Sequence, residues 1–440
     1  MGGKAAILLV LGFSTIFLVF GFNFNNLTLR AVDNLSEYYI ATNAQNIAAS
    51  GANIAANKIF IDPTWTAGYN NIPFSGGSYS ISVDILDPVR NVRRVTSVGN
   101  YGSTSKTIQV ILQPTKFSQF AYFCQIEGNI WWTSKDTVWG PFHTQDWMQV
   151  QGHPMFYGKA TTKKGMKYYT NEASDIPQFL GGYEKGINLD LPDDKVKDFE
   201  AFADDNGAKF EASSGIQTYT ERYWNNRNRR WETRTRTRMT TVDDFYITFK
   251  GDSLSYKEES TGAETTVLAQ DFAPNGIIYA KDANLHISGT VKGQYTVAAY
   301  GPSSGLGRVY LEDDITYYTD PRTNPNSTDL LGIIARNEVL IADNANNRHD
   351  INIDASIYSE KEGFGAENHD GRSVDGNINL YGGIIQKKRQ AVGTFSTDRW
   401  GRTTSVSGFN KRYKYDERLM FMAPPEFPAT DSYQIVSWYE

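Results

Sequence analysis

Apolar positions give the first sixty residues a different texture from the rest. From Ala5 to Phe22 they are continuous, eighteen residues without a charge: AAILLVLGFSTIFLVFGF. Further on they recur every three or four residues, at Ala44, Ile47, Ala48, Gly51, Ile54, Ala55 and Ile59. Asn43, Gln45, Asn46, Asn53 and Asn57 fill the other faces. That spacing is helical. No proline occurs before Pro63, so one helix from about Lys4 to Phe60 is expected, roughly 85 Å long. The uncharged run is about long enough to cross a bilayer. It leads to Asn23-Phe24-Asn25-Asn26 and not to a small-residue cleavage site, so it reads as a retained anchor. A soluble core helix seldom stays apolar on every side for that length.

After a turn-rich linker the period changes to two. Ser78–Ile85 (SYSISVDI) alternates strictly, and Arg93–Gly99 and Thr107–Leu112 are further strands separated by short turns. From about Phe117, short apolar pairs are punctuated by Gly, Asn and Asp every eight to ten residues, as in Ile277-Ile278, Ile333-Ile334 and Ile384-Ile385. Irregular short strands with turns between them predict a parallel β-helix or solenoid. A large β-sandwich is the alternative. An insertion covers about 170–273, with a short helix over Asp193–Ala203 and a hairpin over Ile216–Phe249 turning at Asn225–Asn228. The expected organisation is α+β and mostly β: a helix over 1–61 with its apolar segment at 5–22, a small antiparallel sheet over 62–116, and a solenoid-like domain over 117–440.

Composition narrows the function. Net charge is −6, from 43 basic and 49 acidic residues, which excludes a general nucleic-acid-binding surface. The single cysteine, Cys124, excludes an intrachain disulfide framework, CxxC zinc sites and CxxCH haem attachment.

A long helix, apolar at its start and amphipathic after, followed by an antiparallel meander, resembles the type IV pilins and their relatives. Gly2 or Gly3 fits the glycine that ends a pilin leader. Trp139–Thr144, Gly152–Gly158, Leu331–Asn337, Gly382–Lys387 and Tyr415–Trp438 resemble blocks of large pilus-assembly proteins with a minor-pilin N-terminus. One departure stands out. Pilins usually carry Glu at the fifth mature position, where this chain has Leu8 counted from Lys4, or Ile7 counted from Gly3. The resemblance implies a precursor in the inner membrane, then a cell-surface or extracellular filament. It implies a homopolymer or a polymer with other pilins, no enzyme activity and no cofactor. Ile7, Leu8, Leu11, Phe13, Ile16, Phe17 and Phe20 then form the assembly helix.

Motifs for chemistry are sparse. Gly301–Gly305 matches GxSxG, but the helix that a nucleophile elbow needs is not predicted after it. The five histidines show no HExxH. Asp350, Asn352 and Asp354 share one face of a strand and can be read as Ca²⁺ ligands, as acid and base on a polysaccharide, or as a solvated face. Trp131, Trp132, Trp139 and Trp147 stack on sugars or fill a core.

The least ordinary feature is an arginine run: Arg222, Arg227, Arg229, Arg230, Arg234, Arg236 and Arg238. In a strand, the last three share a face and Thr233, Thr235 and Thr237 the other. Neither face makes a core alone, so the hairpin is expected to dock or to stay solvated. Candidate partners are acidic residues of another copy (Asp193, Asp194, Asp198, Glu200, Asp204, Asp205), an anionic surface glycan, or DNA without sequence specificity. Three readings follow: a structural subunit, a surface adhesin for glycans, and a polysaccharide-active β-helix enzyme.

Overall fold

The computed structural model describes every residue except 1, 89–90, 190, 192–194, 304 and 399–402. Met1, Asp193, Asp194 and Ser304, on which sequence readings fall, are outside the described residues. The chain is mostly β with one long helix. It divides into two compact units, residues 1–115 with 431–440, and residues 116–430.

In the first unit the helix runs from Gly2 to Ile61. It stops where Pro63 disfavours a helical conformation at Asp62. The Asp62 carboxylate accepts from the backbone N–H and hydroxyl of Thr64, at 3.1 and 2.7 Å. Four strands follow: β1 (Tyr69–Phe74), β2 (Gly77–Asp87), β3 (Val92–Tyr101) and β4 (Thr104–Lys116). They pair antiparallel in sequence order. Of the predicted stripe, Ala44, Ile47, Ala48, Gly51, Ala55 and Ile59 are buried and Ile54 is half-buried; Ile47, Ala48, Ala55 and Ile59, with Ala52, pack on Tyr79, Ile81, Val95, Ile108, Val110 and Leu112. Gly99 is needed there, because a Cβ would strike the helix backbone at Ala44 and Ala48.

The closing strand, Ala429–Tyr439, lies beside β4 as the fifth strand of this sheet. The sequence placed it in the solenoid-like domain. Its strand pairing was not visible in a segment read only by its neighbours.

The second unit holds a 22-stranded sheet that is mixed, with antiparallel pairs at Asp244–Gly251/Ser253–Glu258 and Gly393–Thr397/Thr403–Lys414. Most other pairings are parallel, and their register stacks side chains in columns. One column runs Ile278, Val297, Ile333, Ile357, Ile384, Tyr122, Phe142, Ala160. These residues belong to the largest core. The neighbouring column runs Tyr279, Ala298, Ile334, Tyr358, Ile385, Phe123, and belongs to a second core completed by Phe117, Leu191, Val196, Phe199, Ala203 and Phe427. Both faces of these strands are therefore covered, which explains their unbroken apolar pairs.

Chain order and stacking order differ. Val374–Lys388 pairs with Tyr122–Ile126, and Thr403–Lys414 with Thr137–Trp139. The last strands of the unit thus join its first. The segment around Val196 and Phe199 links Tyr183–Lys185 to Ala208–Glu211 and supplies the cover for the second column.

The expected insertion is smaller than 170–273. Gln178–Phe179, Tyr183–Lys185, Ala208–Glu211 and Asp244–Gly251 all pair within the large sheet. Only Ser213–Asn225 and Arg230–Val242 form a separate two-stranded sheet. The hairpin ends at Val242, since Asp244–Gly251 changes partners. The expected helix is a 3-10 turn, Val196–Asp198, and one α-turn, Phe199–Asp204.

Candidate functional site

The most exposed apolar surface of the first unit is on its helix. Ile7, Leu8, Leu11, Phe13, Ile16, Phe17 and Phe20 are each between 51% and 73% exposed. The helix is long and apolar enough to cross a membrane, with a mean hydropathy of 2.5 in its best window, none of which is buried. Apolar exposure continues beyond Phe22, at Phe24, Leu27, Leu35 and Tyr38. Leu29, Val32 and Tyr39 are exposed as well, so these side chains occupy more than one face, a signal the sequence reading passed over because Arg30, Asp33 and Glu37 interrupt the run.

The arginine hairpin sorts its side chains by face. In the antiparallel register Arg234 opposes Glu221 and Arg230 opposes Asn225. Arg234 and Arg236 both pair with Glu221, the latter at 2.8 Å. Arg234 also lies 4.6 Å from the Tyr223 ring centre. Glu232 accepts from Tyr223, Asn225, Asn228 and Arg230, and the amides of Asn225 and Asn228 with the Arg230 guanidinium hold its carboxyl down at about 2. Within the chain, Arg234 and Arg236 thus share one partner, Glu221, across the hairpin. Arg238 is exposed on the same strand, and Arg227 and Arg229 are exposed in the turn. Arg222 is on the other face, 5.9 Å from the Trp231 ring centre.

Of the acidic group, Glu200 and Asp204 have partners within the chain. Lys209 binds Glu200 at 2.8 Å and Asp204 at 3.3 Å, and Lys281 binds Glu200 at 2.9 Å.

Asn352 and Asp354 lie in the strand Ile351–Ser359 and Asp350 immediately precedes it; their polar atoms bond to protein neighbours except Asp354 Oδ1, which is buried without a hydrogen bond. Asp350 accepts from Asn377 on both carboxylate oxygens, at 3.0 and 3.1 Å. Asn352 donates to Asp314 at 2.8 Å and accepts from Asn379 at 3.1 Å. Asp354 is buried, accepting from the Tyr317 N–H and, at 3.2 Å, from Arg322. Burial pushes its carboxyl up to about 6, against the pull of Arg322. Among the described residues no three His, Cys, Asp or Glu stand together as metal ligands.

Other polar clusters are structural. Trp132 is fully buried beside Tyr122, Phe142 and Phe156. The Arg389 guanidinium lies 4.0 Å from its ring centre and binds Glu127 at 2.9 Å. Trp132 is thus a core residue and no sugar platform. Burial holds His143 down at about 4. After Gly301–Gly305 the chain enters the strand Val309–Tyr317, with no helix.

Sequence reasoning missed His286. Parallel register places it between Tyr246 and Tyr310, with ring centres 4.1 and 4.6 Å away and planes within 17° and 13°. Nδ1 is 2.6 Å from Glu312 and Nε2 is 3.4 Å from Asp244. Burial opposes its charge, but the two carboxylates outweigh burial and raise its pKa. The three rings lie about 40 and 24 residues apart in sequence, so no local pattern shows them.

The crystal structure of the competence-associated pilin ComZ from Thermus thermophilus is similar to this chain at 11% identity and a TM-score of 0.36, covering 91% of this chain and 97% of that one. No family model and no curated protein matches the chain.

Proposed function

We propose that this chain is a non-enzymatic subunit of a type IV pilus-like filament, inserted in the inner membrane through residues 5–22 and then assembled through the same helix. One observation carries the reading. The helix is fully exposed and apolar over its first third, while its last third is seated on an antiparallel sheet. An exposed stretch of that size must be covered by lipid or by other copies. The same residues can serve both solvents in turn, because side chains of a helix bundle and of a lipid-facing helix are equally apolar.

The second unit is read as a β-solenoid displayed by that subunit. The columns of parallel register and the buried core they share support this reading over a sandwich. Its exposed face then belongs to the cell surface or the medium.

The test is assembly of the full chain from detergent, with and without residues 1–25, followed by negative-stain imaging. The full chain is expected to form filaments and the shortened chain to stay monomeric. Filaments from the shortened chain overturn the proposal.

A further inference from the structure

A cavity of about 510 Å³ opens at one corner of the second unit, within the range of about 300–1,000 Å³ that small-molecule sites occupy. Strand register builds it. Gly251 pairs with Val291, and Val291 with Tyr317, in parallel. The residues that follow them, Asp252, Lys292 and Tyr318, therefore leave successive strands at the same corner. Lys292 binds Asp252 at 2.7 Å, and its ammonium lies 5.1 Å from the ring centre of Tyr318, which is 61% exposed.

A second segment closes over this corner. The Ala269 N–H donates to the Asp252 carbonyl at 3.0 Å, which seats the helical turn Ala269–Phe272 beside it. Leu268, Ala273, Pro274 and Tyr295 give the cavity its apolar lining. A Cβ at Gly293 would come within 3.3 Å of the Tyr295 ring, so glycine there keeps the ring edge clear.

The polar lining is underused by the protein itself. Gln270 and Asp271 line the cavity and are exposed. Neither side chain has a hydrogen-bond or ion-pair partner among the described residues. Gln294 is held by one bond, from its amide nitrogen to the Thr328 carbonyl at 3.2 Å. The Asp252–Lys292 pair is neutral, so Asp271 leaves the lining with a charge of −1.

From this arrangement we propose that the corner cavity binds a neutral saccharide. A pyranose ring offers an apolar face to Leu268, Pro274 and the Tyr295 edge, and a rim of hydroxyls to Gln270, Asp271 and Gln294. A carboxylate accepting from sugar hydroxyls makes the stronger, charge-assisted kind of hydrogen bond. An acidic sugar or a phosphate meets the unpaired Asp271 with like charge. A hard cation takes about six to eight oxygen ligands, where one carboxylate is free. A role in attaching to surface sugars rests on the display of this unit by a filament, as read above; the binding itself does not.

The test is titration of the full chain in detergent, by calorimetry and saturation-transfer NMR. Maltotriose, cellotriose and N,N′-diacetylchitobiose are the neutral probes and trigalacturonate the acidic one. At least one neutral probe is expected to bind, and more tightly than trigalacturonate. Asp271→Ala is expected to weaken that probe at least about tenfold and to narrow the gap to trigalacturonate. Gln270→Ala is expected to weaken it several-fold, and reads the site even where Asp271→Ala lowers the melting temperature. No binding of any neutral probe, unchanged affinity in both variants, or tighter binding of trigalacturonate overturns the site. None of these measurements needs filaments, so loss of the site leaves the assembly reading standing, and a chain that binds sugar without forming filaments overturns the assembly reading alone.

Discussion

The Phe117 N–H donates to the Pro428 carbonyl at 3.1 Å. The chain thus enters the second unit and leaves it at one point, although 311 positions separate these residues. The Lys116 ammonium, bound to the Phe427 carbonyl at 3.1 Å, reinforces the closure. The second unit is inserted in the chain between β4 and the closing strand.

Excision tests this directly. Joining residue 116 to residue 430 through a short Gly-Ser linker is expected to leave the helix and five-stranded sheet folded. Circular dichroism and membrane flotation are the measurements. Removing residues 431–440 instead takes away the strand beside β4 and is expected to destabilise the first unit. Collapse of the excised protein in flotation and dichroism would show that the sheet depends on the insertion.

A charge in the apolar third of the helix should block insertion. Leu11 is exposed in mid-run. Leu11→Arg is expected to cost about 2.5–3.5 kcal/mol on insertion scales and to move the chain from the membrane to the soluble fraction. Denaturant midpoints of the second unit should not change. Unaltered membrane retention would count against the anchor.

Adjacent residues on one strand should both be sensitive. Ile384 is stacked with Tyr122 in the large core, and Ile385 with Phe123 in the second. Truncating either to Ala is expected to cost about 2–5 kcal/mol. Asn379, half-buried and bonded to Asn352, should cost about 1 kcal/mol. Denaturant unfolding compares the three. Tolerance at Ile385 would mean that the covering segment does not seal the second column.

Stability should depend on pH through His286. Its folded pKa is raised above 6.5, so the folded state holds a proton that the unfolded chain releases. The contribution is complete below about pH 6.5 and fades as pH rises through the folded value. His286→Gln should flatten melting temperature between pH 6 and 9 relative to the parent. A parent that gains stability over this range, compared with the variant, contradicts the assignment.

Asp354 acts in a more acidic window, with the same sign. Its carboxyl titrates at 3.8 in the ordinary case and at about 6 here. Between those values the folded state keeps a proton that the unfolded state has lost, so stability falls as pH rises from about 4 to 6. The loss is on the order of 1–3 kcal/mol. Asp354→Asn is expected to remove it, read as the difference in urea midpoint between the two proteins across that window. Parallel midpoints would show an unperturbed carboxyl.

Local periodicity was enough for the helix, its buried stripe and the three strands at Ser78–Ile85, Arg93–Gly99 and Thr107–Leu112. Each such element is set by residues three, four or two apart, and its apolar face shows at that range. The exposed apolar run was equally legible, since eighteen uncharged residues need no partner in sequence to be recognised. Tertiary structure decided what depends on distant partners. Ile384 and Ile385 look alike in sequence, and only the segment carrying Val196 and Phe199 gives the second a core of its own. His286 has its pKa raised by Asp244 and Glu312, Arg234 takes its partner from Glu221, and the closing strand its place from β4. In each case the energy lies in a contact between residues far apart in the chain, brought together by strand register that no local pattern encodes.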